Sequence, residues 1–172
     1  MMLIETERMI IRDFCPDDAN DLYEILGDAE TMQNCEPAYD FEKTQRFLTE
    51  FCIAKRGAVA AVLKGSGKMI GYILFKPWED FVFEIGWIFN KKYWRQGYAY
   101  EACSALIAHG FRERNIHKVV AETIDGQKSV PLMEKLGMKR EGVQKSQVKD
   151  LCGNWADLYL YGMLRSDMDA MK

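Results

Sequence analysis

Residues 84–102 constrain the fold more than any other part of the sequence. They begin as an apolar segment that ends at Phe89, pass through a short basic and aromatic stretch around Gly97, and continue with helical spacing. This pattern predicts a strand that leads through a turn into a helix. The first amides of a helix lack partners inside it and lie at the positive end of its dipole, so they can bind an anion. Gly97 has no side chain, which lets the backbone approach a phosphate closely.

The sequence of this turn resembles a known coenzyme-binding loop. Gly97 alone favours an ordinary strand-to-helix connection, but the longer pattern Trp94-Arg95-Gln96-Gly97-Tyr98-Ala99 resembles the pyrophosphate-binding loop of the GNAT-type N-acetyltransferases. Trp94 stands where that loop usually has Gln or Arg. The flanking tyrosines resemble the branch that includes the ribosomal-protein-alanine acetyltransferases. The resemblance implies acetyl-coenzyme A as cosubstrate, bound by Arg95, Gln96, Gly97, Tyr98 and Ala99.

The composition indicates a soluble, single-domain protein. The 172 residues are 48% apolar and 28% charged, and we expect one domain over residues 1–172. The net charge of −3 and the lack of a basic stripe argue against a nucleic-acid partner. No signal peptide or long apolar run is present, so no membrane partner is expected.

The cysteine and histidine content argues against a metal site or a disulfide framework. The five cysteines are scattered, no Cys-x-x-Cys pair occurs, and there are two histidines. We therefore predict no metal and a cytoplasmic location.

The hydrophobic periodicity predicts an alternating order of strands and helices. We expect strands over 3–14, 58–63, 69–75, 81–89, 117–124, 138–148 and 155–164, and helices over 16–26, 41–56, 98–110 and 130–136, with 28–40 irregular. This order matches the GNAT arrangement, which implies an α/β (α+β) fold with a central mixed, mostly antiparallel seven-stranded sheet flanked by about four helices. Glu134–Met138 also resembles the family's Glu-Lys-Leu-Gly-Phe segment. The Gly-Ser-Gly-Lys68 segment is read as a hairpin turn, because Met69 replaces the Ser or Thr of a P-loop.

Acetyl transfer to an amine needs a base, an oxyanion donor and a proton for the departing thiolate. Glu84 is the candidate base, because it is a lone carboxylate in an apolar strand. Loss of surrounding water strengthens the tendency of a carboxylate to accept a proton, as a general base requires. A structural ion pair or an edge-exposed side chain is the alternative interpretation of Glu84. The resemblance implies that the strand residues Trp87, Ile88 and Phe89 leave main-chain groups free for the thioester arm.

Ser129 lies where the family has the serine of an Asn-x-x-Ser motif, so it is a second catalytic candidate and a coenzyme contact. Two departures weaken this reading: Gly126 replaces the asparagine, and Met133 replaces a tyrosine that acts as an acid in many relatives. Ser129 is alternatively an N-cap before Pro131.

The acceptor is the least determined part of the prediction. The resemblance implies that the early helices wall the acceptor side, where Asn34, Glu36 and Tyr39 are candidate substrate-binding residues. The leading function is transfer of an acetyl group by direct attack to a primary amine, with a protein or peptide N-terminus as the first acceptor class. A small-amine acetyltransferase and a non-catalytic acyl-coenzyme A binder are the alternatives. Both a monomer and a homodimer are compatible with the sequence.

Overall fold

The computed structural model describes residues 2–170, so Met1, Met171 and Lys172, which the predicted domain also includes, lie outside the described residues. The strands are Leu3–Glu5 (β1), Met9–Asp13 (β2), Ala58–Leu63 (β3), Met69–Glu79 (β4), Val82–Phe89 (β5), Lys118–Thr123 (β6), Lys139–Lys149 (β7) and Trp155–Leu164 (β8). The helices are Ala19–Leu26 (α1), Ala29–Met32 (α2), Phe41–Phe47 (α3), Tyr98–Glu113 (α4), Ser129–Lys135 (α5) and Arg165–Ala170 (α6). Helix α3 continues as a π-helical segment over Leu48–Ala54.

All eight strands form one mixed sheet in the order β1-β2-β3-β4-β5-β6-β8-β7. Neighbouring strands are antiparallel except β5 and β6, which are parallel. Strand β3 is buried on both faces and separates two cores. Val59 and Ala61 face the core beneath α4 and α5, whereas Ala58 and Ala60 face the core beneath α1 and α3. The predicted mixed, mostly antiparallel sheet of an α/β fold is therefore confirmed.

The parallel pair β5 and β6 separates soon after it forms. Its register includes Val82 with Lys118, Phe83 with Val119 and Glu84 with Val120. Beyond Glu84, β5 continues to Phe89 beside β4, while β6 continues beside β8. The sheet is thus forked between β5 and β6, and the chain that leaves β5 enters the turn around Gly97 at the open end of the fork.

The predicted number of strands was wrong by one. The expected single strand over 3–14 is a hairpin of β1 and β2, closed by a hydrogen bond of 2.9 Å from the Thr6 amide to the Met9 carbonyl oxygen. The turn contains neither Gly nor Pro, so the usual sequence signal for a turn is missing.

The predicted number of helices was also too low. The segment 28–40 contains α2, whose N-cap Asp28 accepts a hydrogen bond of 2.8 Å from the Thr31 amide. Residues Arg165–Ala170 form α6, which was not predicted. Strand β4 runs past Pro77, where the register to β5 shifts, because a bulge tolerates a residue without an amide hydrogen.

Candidate active site

The turn before α4 has the backbone geometry of an anion site. Gly97 is the N-cap residue of α4 with a φ of 84°, and Arg95 also has a positive φ of 58°. Because Gly97 has no side chain, it cannot cap the first amides of α4, as a serine or aspartate would. The amides of Tyr98, Ala99 and Tyr100 have no acceptor inside the helix and are available to a ligand.

Side-chain contacts hold this turn against the end of β5. The Trp94 indole donates a hydrogen bond of 2.7 Å to the Phe89 carbonyl oxygen, which folds the turn back onto the strand. The Gln96 side-chain amide donates to the Lys92 carbonyl oxygen at 3.0 Å. Gln96, predicted to bind coenzyme, therefore uses its side chain inside the loop.

A cavity of about 870 Å³ occupies the open end of the fork. Its walls come from the 28–40 segment, the end of β5, the turn and first residues of α4, and the start of α5. Among the predicted site residues, the cavity is lined by Asn34, Trp87, Ile88, Phe89, Arg95, Gly97, Tyr98, Ala99 and Ser129. These residues lie far apart in sequence, and the fork brings them together.

Cations and aromatic rings alternate along the outer wall of the cavity. Lys128 Nζ lies 4.4 Å from the centre of the Trp94 ring, and Lys135 Nζ lies 4.6 Å from the centre of the Tyr100 ring. Together with Arg95 these lysines make the wall suitable for phosphate groups and a flat base. Sequence reasoning did not select Lys128 or Lys135, since isolated lysines before and within a short helix carry no distinctive pattern.

Ser129 lines the cavity as the first residue of α5 and is half-buried. The N-cap position belongs to Lys128, so the capping explanation for Ser129 was wrong. Asp125 organises this end instead, because its Oδ1 accepts hydrogen bonds of 2.9 Å from the amides of Gln127 and Lys128. Ser129 thus lines the cavity without capping the helix terminus.

Glu84 occupies the vertex of the fork, at the last residue pair between β5 and β6. Its side chain is 15% exposed, and its Oε2 lies 3.1 Å from Lys76 Nζ on the neighbouring strand. Glu84 is not among the residues that line the cavity. The structural ion pair, which was an alternative interpretation of Glu84, is therefore present, and the role of base stays a prediction.

Glu122 lies near Glu84 on β6. Burial raises the pKa of Glu122, and the charge of Glu84 raises it further, whereas Lys76 opposes this effect. The vertex of the fork therefore carries two interacting carboxylates and one ammonium group.

The three predicted acceptor-side residues are in different surroundings. The Asn34 side-chain amide donates a hydrogen bond of 3.1 Å to Asp125 Oδ2, which joins the 28–40 segment to the loop before α5 across the cavity. The Tyr39 hydroxyl donates to Glu36 Oε1 at 2.5 Å, and the Tyr39 ring is buried beside α3. Neither Glu36 nor Tyr39 lines the cavity. Their predicted role in acceptor binding is not tested by this placement.

Neither a metal cluster nor a membrane-spanning helix is found within residues 2–170. In that part of the chain no group of three or more His, Cys, Asp or Glu side chains is placed to hold a metal ion. Over the same residues, no helix combines the length and apolar character that a membrane span needs.

Comparison with known proteins identifies the family. Residues 8–139, more than half of the chain, match the acetyltransferase (GNAT) domain. The chain is 33% identical to the uncharacterized N-acetyltransferase YnaD of Bacillus subtilis, over 96% of this chain and 99% of that protein. It is 32% identical to a GNAT-family acetyltransferase of Bacillus anthracis, whose crystal structure superposes with a TM-score of 0.89 and coverage of 96% and 99%.

A more distant solved structure has the same fold. It is RimL, a ribosomal L7/L12 alpha-N-protein acetyltransferase in complex with coenzyme A, at 18% identity, a TM-score of 0.82 and coverage of 95% and 98%. The forked sheet, the glycine turn and these similarities all indicate the same family. The chain belongs to the GNAT acetyltransferase family and is an N-acetyltransferase.

Proposed function

We propose that the protein uses acetyl-coenzyme A to acetylate a primary amine by direct attack, and that the acceptor is a protein or peptide N-terminal amine. The observation that carries the first half is the cavity at the fork, where free helix amides meet the open end of β5. The amides suit a pyrophosphate, the cation-lined wall suits further phosphates, and the narrow fork suits an extended arm.

Each part of the site has a distinct task in this proposal. Acetyl-coenzyme A supplies an acyl thioester that is activated toward amines. The amides of residues 98–100 bind the pyrophosphate, and main-chain groups of Trp87 to Phe89 orient the thioester and stabilise the oxyanion. Glu84, directly or through water, takes the proton that the amine loses as the new C–N bond forms. Ser129 gives its hydroxyl proton to the thiolate as the C–S bond breaks, and it regains a proton from solvent water.

The proposed acceptor class is supported by the resemblance of the turn to the ribosomal-protein branch and by the similarity to RimL, which acts on the α-amine of a ribosomal protein. In this proposal the 28–40 segment lies over the acceptor, with Asn34 tied across the cavity to Asp125. A peptide enters beside this segment and presents its N-terminal amine to the vertex of the fork.

One observation favours a small cationic amine as a second candidate. Glu122 lies near Glu84 on the neighbouring strand, so the vertex holds two carboxylates against the ammonium group of Lys76, and this excess of negative charge suits a substrate with more than one ammonium group. A polyamine or amino sugar is therefore the alternative acceptor, and the two classes are separated by the same assay.

The experiment incubates the protein with acetyl-coenzyme A and two panels, peptides with free N-termini and small amines, and measures thiol release and acetylated product by mass spectrometry. We expect turnover with peptides and none with the same peptides blocked at the N-terminus. Turnover confined to small amines contradicts the acceptor proposal. Absence of turnover with every acceptor, together with measurable coenzyme A binding, favours the non-catalytic binder.

Two variants test the assigned roles. Removing a general base typically lowers kcat by about 10²-fold or more, so we expect a loss of this size for Glu84→Gln with coenzyme A affinity retained. Glu79→Gln, which neutralises an exposed carboxylate on β4, is the matched control. Ser129→Ala should lower kcat with retained folding, and wild-type rates in both active-site variants contradict the assignment.

A further inference from the structure

A carboxylate lies in the first turn of α4, where the proposed pyrophosphate site needs positive potential. This residue is Glu101, whose side chain is 17% exposed. A carboxylate near a helix N-terminus is itself stabilised by the helix dipole. It also repels a second anion that approaches the same amides. Without compensation, Glu101 would oppose the ligand that the turn is built to hold.

The turn between β1 and β2 supplies that compensation. Thr6 Oγ1 donates a hydrogen bond of 2.6 Å to Glu101 Oε1, and the Arg8 amide donates to the same oxygen at 2.8 Å. Arg8 Nε donates to Glu101 Oε2 at 2.7 Å. Although burial raises the pKa of Glu101, the hydrogen bonds from Thr6 and Arg8 outweigh it and lower the pKa overall. Glu101 is therefore a charged group whose charge is neutralised locally.

The rest of the Arg8 guanidinium contacts the coenzyme-binding loop itself. Its Nη1 donates a hydrogen bond of 2.9 Å to the Gln96 carbonyl oxygen. Its central carbon lies 4.1 Å from the centre of the Tyr98 ring. Its Nη2 lies 3.3 Å from the position that a Cβ on Gly97 would take. One side chain thus contacts the residues on both sides of Gly97 and lies beside Gly97 itself.

These contacts are not explained by the packing of β1 and β2 alone. Arg8 belongs to neither strand, and its side chain crosses to the start of α4 more than eighty residues later in the chain. Because it meets both the loop carbonyl and the Glu101 carboxylate, it joins backbone positioning to charge compensation in a single group.

We propose that Arg8 is a positioning residue for the coenzyme: it masks Glu101 and holds the Gln96–Tyr98 backbone so that the first amides of α4 receive the pyrophosphate. This inference rests on the proposed use of acetyl-coenzyme A. It assigns a function to the β1–β2 turn, whose residues do not line the cavity.

The test measures the binding of coenzyme A and of S-acetyl-pantetheine, which lacks the pyrophosphate, by titration of tryptophan fluorescence. Trp87 and Trp94 line the cavity and report on both ligands. We expect Arg8→Gln to weaken coenzyme A binding about tenfold, from one lost charge-assisted contact and one unmasked charge, and to change S-acetyl-pantetheine binding less than about twofold. In Arg8→Gln/Glu101→Gln, part of the loss should be recovered, to within about threefold of wild type.

Further variants separate the possible outcomes. Lys64→Gln is the matched control, because it removes a cation that pairs with Glu5 beside the same hairpin without contacting the loop. Arg8→Lys keeps the charge but loses the fork, so its affinity should lie between those of wild type and Arg8→Gln. Wild-type affinity in Arg8→Gln, or equal loss for both ligands, overturns the proposal. Lack of recovery in the double variant overturns the masking of Glu101. Failure of the wild-type protein to bind coenzyme A overturns the proposed function instead.

Discussion

Replacing Gly97 by alanine tests whether the turn before α4 is a built anion site. Gly97 has a φ of 84°, a left-handed conformation that costs a residue with a Cβ about 1–2 kcal/mol. The new methyl group meets only Arg8 Nη2 at 3.3 Å, the end of a flexible side chain, so the cost of the substitution comes mainly from backbone strain. This strain has two alternative outcomes. In the first case the strain remains in the folded protein and lowers its stability. In the second case the loop shifts to relieve the strain, and coenzyme binding must reverse that shift. In the second case coenzyme A affinity falls by up to about 5–30-fold.

Gly153 provides a matched control. It has the same φ of 84°, lies in the β7–β8 connection, and has open space where a Cβ would be added. Gly153→Ala should therefore lose about 1–2 kcal/mol of stability, a fall in Tm of about 2–8 °C, with coenzyme A affinity unchanged. Thermal unfolding and calorimetric titration of both variants give the two quantities. If Gly97→Ala loses the same stability as Gly153→Ala and binds coenzyme A like wild type, the loop conformation does not serve binding and the reasoning fails.

Three further predictions concern stability and the outer wall. Asp18 is buried and accepts hydrogen bonds of 2.8 and 2.7 Å from Arg12 Nη1 and Nη2, so Asp18→Asn should cost about 3 kcal/mol in urea unfolding. Although burial raises it, the bonds to Arg12 lower the pKa of Asp18 overall. Its stabilisation is thus present above the unfolded value of about 3.9 and lost as pH falls through the folded value, and Asp18→Asn should lack this acid-dependent loss. Tyr161→Phe removes a 2.9 Å hydrogen bond to Glu134 and should cost about 1 kcal/mol without changing kcat; a large fall in kcat contradicts a structural role. Lys128→Gln should weaken coenzyme A binding about two- to fivefold, measured by calorimetry, and unchanged affinity contradicts its place in the wall.

The strand and helix order was predictable where the pattern was strong. Strand β5 and helix α4 have apolar residues with clear periods, and the structure confirms both. The β1–β2 turn was missed because residues 6–8 include neither Gly nor Pro, and the turn, closed locally between Thr6 and Met9, is also tied to Glu101. A contact with a residue so distant in sequence leaves no local signal.

The site was predictable in its loop and not in its surroundings. Gly97 and Arg95 carry a local motif, whereas Lys128 and Lys135 reach the cavity only because β6 diverges from β5. Glu36 and Tyr39 were expected on the acceptor side; they bond to each other, the tyrosine is buried, neither lines the cavity, and their role in acceptor binding stays a prediction. Which of several polar residues in an irregular segment faces a cavity depends on tertiary packing.

The divergence of β5 from β6 also has a mechanical consequence. The ladder between strands β1–β5 and strands β6, β8 and β7 extends over Val82–Glu84 and Lys118–Val120, so the sheet has a short seam. Side chains of α4 and α5 pack in one core with residues of β5, β6 and β8, and this core joins the two parts of the sheet. We therefore expect amides of β6 and β8 to exchange with deuterium as one unit, separately from β3 and β4. A ligand seated in the opening touches both parts, and its binding should merge the two exchange rates into one.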